Sequence, residues 1–277
     1  ASRTPSKKTG KGPSEGLLKH LRNDLHRAFA RLVDAGELES NPAVRLPLPC
    51  RKEVHKEFAV LTDGELATYL AWRHPVDHFQ ADVRERQVMA VCSRTFGGLR
   101  TGDLHVLRWD AFDPPEFTSG WAPRAKTRRP QKLEVPPSLR PMLSEWWWRC
   151  GCPHEGLMFP LSRGEDKGKA RPKSSHAEAL RRDLRRAFGV EVYVRGKWVQ
   201  ARPLSARERE LFEETDWTLP VNFHSWRRAY VQALSNSGVN LQKAQLLSGH
   251  SNASAHFRYL ANSGTALALP IEAEPKT

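Results

Sequence analysis

The chain has 277 residues, of which 39% are hydrophobic and include nine Trp and eleven Phe, enough for one large domain or one and a half ordinary ones. Lysine and arginine total 44 against 31 acidic residues, a formal charge of +13, which points to a polyanionic partner because neutralised phosphates release counterions. No apolar run reaches the length of a membrane span, no signal-peptide core opens the chain, and Cys50, Cys92, Cys150 and Cys152 form no disulfide pattern, so a reducing, cytoplasmic setting is expected.

Residues 1–13 are basic, rich in Gly, Pro and Ser, and lack apolar side chains, the composition of a disordered arm. The first residue is Ala1 rather than Met, which suggests a fragment or a processed chain. From Ser14 to about Leu38 the positions Leu17, Leu18, Leu21, Leu25, Phe29 and Leu32 recur at helical spacing. Arg22, Arg27 and Arg31 lie off that stripe, where they suit DNA phosphates or, more plainly, a solvated basic face. Asn41-Pro42 and the Pro47/Pro49 pair close the segment, and residues 40–57 read as a linker.

Thr62-Asp-Gly-Glu65 is a capping box that starts a helix running to about His74. A second helix spans Val83 to Phe96 and is broken by Gly97-Gly98. Leu99, Leu104, Val106 and Leu107 are the expected core of the next segment. Arg100, between a glycine pair and a helix start, sits where backbone amides and a guanidinium can meet an anion, although an Arg beside a Gly turn is more often structural. Helical periodicity stops between Phe112 and Val135, and Phe117–Pro123 and Lys132–Val135 are the expected strands, with Lys126 in the basic turn between them.

A helix from Pro137 to Arg149 carries Trp146-Trp147-Trp148. Cys150, Cys152 and His154 follow, but their spacing fits no common zinc pattern, so no metal is expected. Ser175 to Phe188 is a basic helix whose Arg181, Arg182, Arg185 and Arg186 suit a phosphate backbone. Alternation around Arg195-Gly196 marks a hairpin over Glu191–Val199, and Ser205-Ala-Arg-Glu208 caps a short helix. Residues 190–218 read as an insertion without an assigned role.

The densest chemistry lies between His224 and Tyr259. His224 and Arg227 are three apart on one helix, with Trp226, Ala229, Tyr230, Ala233 and Leu234 as its expected buried face and Gly238 as its stop. Val239 to Leu247 is the next helix, with Leu241, Ala244 and Leu247 inward. Gly249-His250 is a turn, and a short helix from Ser254 to about Ala261 carries Tyr259. The tail keeps Leu267, Leu269 and Ile271, which suits docking elsewhere, on a second protomer for example.

Three ordered pieces resemble the tyrosine recombinases of the phage integrase family. They are Gly98-Leu-Arg-Thr-Gly-Asp-Leu104 with Leu107-Arg-Trp109; Ala125-Lys126-Thr127 ahead of a strand ending Val135-Pro136; and His224-x-x-Arg227, Gly249-His250 and Tyr259. The resemblance implies an α+β, mainly α-helical fold with a small antiparallel sheet. It places the catalytic domain at about 56–265, with the last helix of a truncated core-binding domain and a linker over 14–49 and a C-terminal tail over 266–277. It implies that Tyr259 attacks a DNA phosphate to give a 3′-phosphotyrosine and a 5′-hydroxyl. Arg100 and Arg227 would hold the non-bridging oxygens, Lys126 would protonate the leaving oxygen, His224 would take or orient the tyrosine proton, and His250 would bond the phosphate. Asp103 would orient Arg100. The implied partners are double-stranded DNA with specific sites, a homotetramer working through a Holliday junction, and accessory DNA-bending proteins, with no cofactor and a place at a bacterial or phage nucleoid. Ser225-Trp226 and Leu247-Ser248 depart from the family's frequent Asp-Leu and Leu-Leu. A type IB topoisomerase or telomere resolvase could use the same six groups. A helix-turn-helix regulator over His224–Ser248 would explain neither Tyr259 nor Lys126, and a degenerate site ranks low because every expected side chain is present.

Overall fold

The computed structural model describes residues 15–46, 56–124, 129–162, 164–171, 176–250 and 253–257, and the chain divides into two compact units, 1–55 and 56–277. The expected arm over 1–13 and the tail from 265 on lie outside the described residues, as do Lys126 and Tyr259.

In the first unit α1 spans Glu15–Asp34, four residues short of the expected end, and Gly36 follows it at φ 73°. The start of the expected linker is folded. Asn41 caps a 3₁₀ turn over Pro42–Arg45, its Oδ1 accepting from Ala43 N at 2.9 Å while its Nδ2 donates to His26 O of α1 at 2.8 Å. Arg22, expected on DNA, donates to Val44 O at 3.3 Å. Leu17, Leu21 and Leu25 remain about half exposed.

The second unit contains β1 (Glu57–Phe58), α2 (Asp63–Ala71), α3 (Asp77–Thr95), α4 (Thr101–Leu104), β2 (Ser119–Ala122), β3 (Gln131–Glu134), α5 (Arg140–Arg149) and α6 (His176–Ala187). It continues through β4 (Glu191–Val194), β5 (Lys197–Gln200), α7 (Ala206–Phe212), β6 (Thr218–Leu219), α8 (Phe223–Asn236), α9 (Leu241–Ser248) and α10 (Ala253–Phe257). Helix content dominates. The strands form antiparallel pairs β2–β3 and β4–β5 and a parallel pair β1–β6.

Helix α3 is the axis of this unit. It starts six residues before the expected Val83, and Val88, Met89, Ala90 and Cys92 are almost wholly buried against α8, α4 and α5. Its inward polar residues have partners: buried Gln87 donates from Nε2 to Tyr69 O at 2.7 Å, half-buried Arg86 pairs with Asp183 of α6 at 2.6 Å, and buried Arg84 pairs with Glu145 of α5.

The capping boxes at Thr62 and Ser205 form as their sequences require. The hairpin turn places Arg195 at φ 49° and Gly196 at φ 83°, the double positive φ that suits a two-residue turn. Residues 190–218 are no mere appendage. Leu211 and Phe212 join the core, Arg186 stacks on Trp198 at 4.0 Å, and Arg207 binds Glu65 at 2.9 Å and Val60 O at 2.7 Å. Three expected core positions of this unit are exposed, Val106, Ala233 and Leu241; no element among the described residues packs over those faces. Of the tryptophan triplet, Trp146 is buried and Trp148 is exposed.

Candidate active site

Asn222 opens α8, its Oδ1 accepting from His224 N at 2.7 Å and Ser225 N at 3.3 Å, while Ser225 Oγ accepts from Asn222 N at 3.1 Å. This reciprocal cap gives the Ser225 departure a local role. Trp226 is fully buried in the core, and His224 and Arg227, three residues apart, share another face of the helix. Arg227 is also fully buried. Its Nη1 donates to Gly98 O at 2.5 Å, and its Nη2 lies 2.9 Å from Ser248 O and 2.7 Å from His250 Nε2. One guanidinium thus joins the turn before Arg100 to the turn that carries His250.

Gly97 and Gly98 have φ of 64° and 59°, and a Cβ at Gly98 would stand 2.7 Å from the Tyr230 ring. They turn the chain so that Arg100 caps α4, with Asp103 Oδ2 accepting the Arg100 N–H at 3.0 Å. Through that backbone contact Asp103 fixes the residue that bears the guanidinium. Arg100 Nη1 is buried and has no hydrogen-bond partner among the described residues. Leaving such a donor unmet costs about 1–3 kcal/mol, more when the group is charged.

His250 leaves α9 through Gly249, which adopts the left-handed conformation (φ 63°, ψ 36°). Ser248, the second departure, sends its Oγ–H to Ala244 O at 2.7 Å and sits 2.9 Å from His250 Nδ1. Burial first, then the Arg227 charge, holds His250 down to about 3, and the same two causes in the same order hold His224 down to about 4. Both rings are therefore neutral at pH 7. An open cleft of about 560 Å³ runs beside His250, lined also by Arg124, Arg129, Gln131 and Gly249.

A family model described as the phage integrase family matches residues 74–265. The chain belongs to this family. Similar solved structures include a lambda integrase dimer bound to a COC′ core site, with 16% identity and TM-score 0.61 over 92% of this chain and 62% of that chain. The Tn1549 transposon integrase (aa 82–397) in complex with circular intermediate DNA gives 15% identity and TM-score 0.57 over 91% of this chain and 76% of that one. A lambda integrase tetramer bound to a Holliday junction gives 16% identity and TM-score 0.56 over 86% and 57%. At these identities the likeness is one of fold, and the chain spans less than two thirds of the lambda chains in the first and last of these structures. No curated protein matches the chain.

Of the side chains expected to act in this integrase-family chain, the structure brings together Arg100, Arg227, His224 and His250, with Asp103 behind Arg100; Lys126 and Tyr259 fall outside the described residues. The arginines of α6 have other occupations. Arg181 binds Glu178 at 2.7 Å and Val221 O at 3.3 Å, Arg185 lies over Phe212, and Arg186 pairs with Glu191 at 3.3 Å, while Arg182 is exposed. Among the described residues no group of three or more His, Cys, Asp or Glu has the arrangement of a metal site.

Two residues of the cluster were not singled out from sequence. Arg124, nearly buried, donates to Gly97 O at 2.9 Å, Leu247 O at 3.1 Å and Gln131 Oε1 at 3.2 Å, which ties the end of β2 to both loops of the site. Burial and then Arg227 lower its pKa to about 10, so it stays charged at pH 7. The only sequence signal for it was the charge of its turn. His256, on α10, is 1% exposed with its Nδ1 3.1 Å from His250 Nδ1, and nothing in its neighbourhood in sequence announces that contact.

Proposed function

We propose that this chain is a site-specific tyrosine recombinase of the integrase type, cleaving and rejoining DNA through a 3′-phosphotyrosyl intermediate. The observation that carries this reading is the pair of guanidiniums beside a neutral imidazole: Arg100 with a buried Nη1 that no described residue bonds, and Arg227 held rigid by two carbonyls and touching His250. Fixed donors aimed at one place stabilise charge as it develops on a phosphate. Tyr259, two residues beyond α10, is the nucleophile. His224 is neutral because its pKa is lowered to about 4, so it can accept the phenolic proton at pH 7. Lys126 is the acid that protonates the departing 5′-oxygen. It is carried two residues beyond Arg124, whose bond to Gly97 O anchors that strand end beside the Arg100 turn.

The substrate is double-stranded DNA with specific recombination sites, reached with help from the basic charge and from Arg182 on the exposed face of α6. Arg22, Arg181, Arg185 and Arg186 would add backbone contacts only by giving up bonds they make within the protein. Exchange runs through a Holliday junction in a homotetramer, an assembly that the lambda tetramer on a Holliday junction, a protein of the same fold, makes reasonable. Residues 56–265 act as the catalytic domain, and 14–49 as the end of a core-binding domain.

The test is incubation with a nicked duplex selected from a random-sequence pool by binding to this chain. A covalent protein–DNA adduct is expected that survives EDTA and vanishes in Tyr259→Phe. Lys126→Ala is expected to slow cleavage, and a 5′-thiolate leaving group to restore it, since sulfur leaves without an acid. An adduct persisting in Tyr259→Phe overturns the reading.

A further inference from the structure

The distances around His250 and His256 fit one arrangement of protons. Arg227 Nη2 lies 2.7 Å from His250 Nε2, and a guanidinium only donates, so Nε2 accepts. A neutral His250 then carries its proton on Nδ1. That N–H is shared between two acceptors, Ser248 Oγ at 2.9 Å, whose own hydrogen goes to Ala244 O, and His256 Nδ1 at 3.1 Å. Two N–H groups cannot face each other at such a distance, so His256 Nδ1 presents its lone pair and bears its own proton on Nε2. The rings meet edge to face, with centroids 5.2 Å apart and planes at 80°, the orientation in which an in-plane N–H reaches a neighbour. His256 is only 1% exposed, so this acceptor faces little competition from water.

We propose that His256 is a positioning residue of the cleavage site: by accepting the Nδ1 proton of His250 it keeps His250 Nε2 aimed at Arg227, and it docks the segment leading to Tyr259 onto the same imidazole. The proposal rests on the recombinase reading for its catalytic consequence, but the hydrogen bond itself does not. One contact links the anion site on α8 and α9 to α10, three residues ahead of the nucleophile. A protonated His256 can no longer accept, so the link opens in acid. The charged and titratable groups around the pair are Arg227 from α8, Arg100 ahead of α4, Arg124 after β2, and the two histidines themselves. Burial first and then Arg227 keep His256 below the ordinary imidazole range, which leaves the link closed at neutral pH.

The tests are single-turnover cleavage of the selected nicked duplex and ¹⁵N spectroscopy of histidine-labelled full chain. His256→Asn places an amide oxygen near Nδ1 and keeps the acceptor; His256→Leu keeps bulk without it. Expected are unchanged duplex binding in both variants, a loss of about tenfold or more in the cleavage rate of His256→Leu, and recovery to within about threefold in His256→Asn. The acid limb of cleavage should begin at lower pH in His256→Asn than in the wild type. The spectra should show His250, assigned by its absence in His250→Gln, as the Nδ1–H tautomer and His256 as Nε2–H. Wild-type adduct formation together with full-rate cleavage by His256→Leu overturns the positioning role alone. A wild type that forms no adduct overturns the recombinase reading and with it the catalytic role. An Nε2–H tautomer at His250 overturns the hydrogen bond and the proposal whatever the activity.

Discussion

Arg100 and Arg227 meet at one place but stand in opposite relations to the fold. Arg227 supports the structure: its removal strands the carbonyls of Gly98 and Ser248 in a buried setting. Arg227→Ala is therefore expected to lose about 2–4 kcal/mol of stability in urea titrations, along with cleavage. Arg100 Nη1 has no hydrogen-bond partner among the described residues to lose, so Arg100→Ala should abolish adduct formation while changing stability by no more than about 1 kcal/mol. Equal stability losses in the two variants would refute this division of labour. Both arginines, with His250, were singled out in the sequence by the three ordered pieces of the family resemblance, since an Arg beside a glycine pair is by itself more often structural. Arg124 and His256 were not. Arg124 bonds residues 27 and 123 positions away, and a charge in a basic turn does not say which carbonyls it will find.

At the scale of elements, Gly249 is the instructive turn. It needs a positive φ, and a Cβ there would also lie 2.7 Å from Arg124 Nε. Gly238, at φ 71°, has open space around it. Gly238→Ala should cost about 1 kcal/mol for backbone conformation alone. Gly249→Ala should cost about 2 kcal/mol and slow cleavage as well, because Arg124 must leave its carbonyls. Paired thermal melts and adduct assays distinguish the two. Caps and breaks such as Thr62, Ser205, Gly97 and Gly238 were readable because each acts within four residues. The exposure of Val106, Ala233 and Leu241 was not, since helical periodicity shows which side chains share a face but not whether anything packs on it. The parallel pairing of β1 with β6 was likewise hidden: two-residue strands so far apart in sequence have no pattern of their own.

For the molecule as a whole, acid is the condition that tests the folded state. Burial first holds His176 down to about 3, with His105 and Arg171 adding to it, and His250 and His224 are depressed as described. A histidine whose folded pKa is lowered binds its proton more readily when unfolded. Stability is therefore full above about pH 6.5 and falls as pH drops toward the folded values. Each of the three should contribute on the order of 1 kcal/mol of loss between about pH 6.5 and 5, allowing for partial solvation. Urea titrations across that range should show a falling midpoint, and His176→Phe should flatten the slope. A midpoint that rises on acidification would contradict this.

Strand β1 is a clasp that closes the start of the second unit onto α8. It pairs with β6, and Ala59 N donates to Leu219 O at 2.9 Å, three residues ahead of the Asn222 cap of α8. Glu57 is ion-paired with Arg228, the neighbour of Arg227, and the ring of Phe58 stands edge-on to His224 at 6.0 Å. Residues 57–59 are thereby fastened to the helix of His224 and Arg227 at three points: a strand pairing, an ion pair and a ring contact. A change at Glu57 or Phe58 therefore acts on α8 from outside the cluster, through an ion pair and a ring contact and not through the ligands of a phosphate.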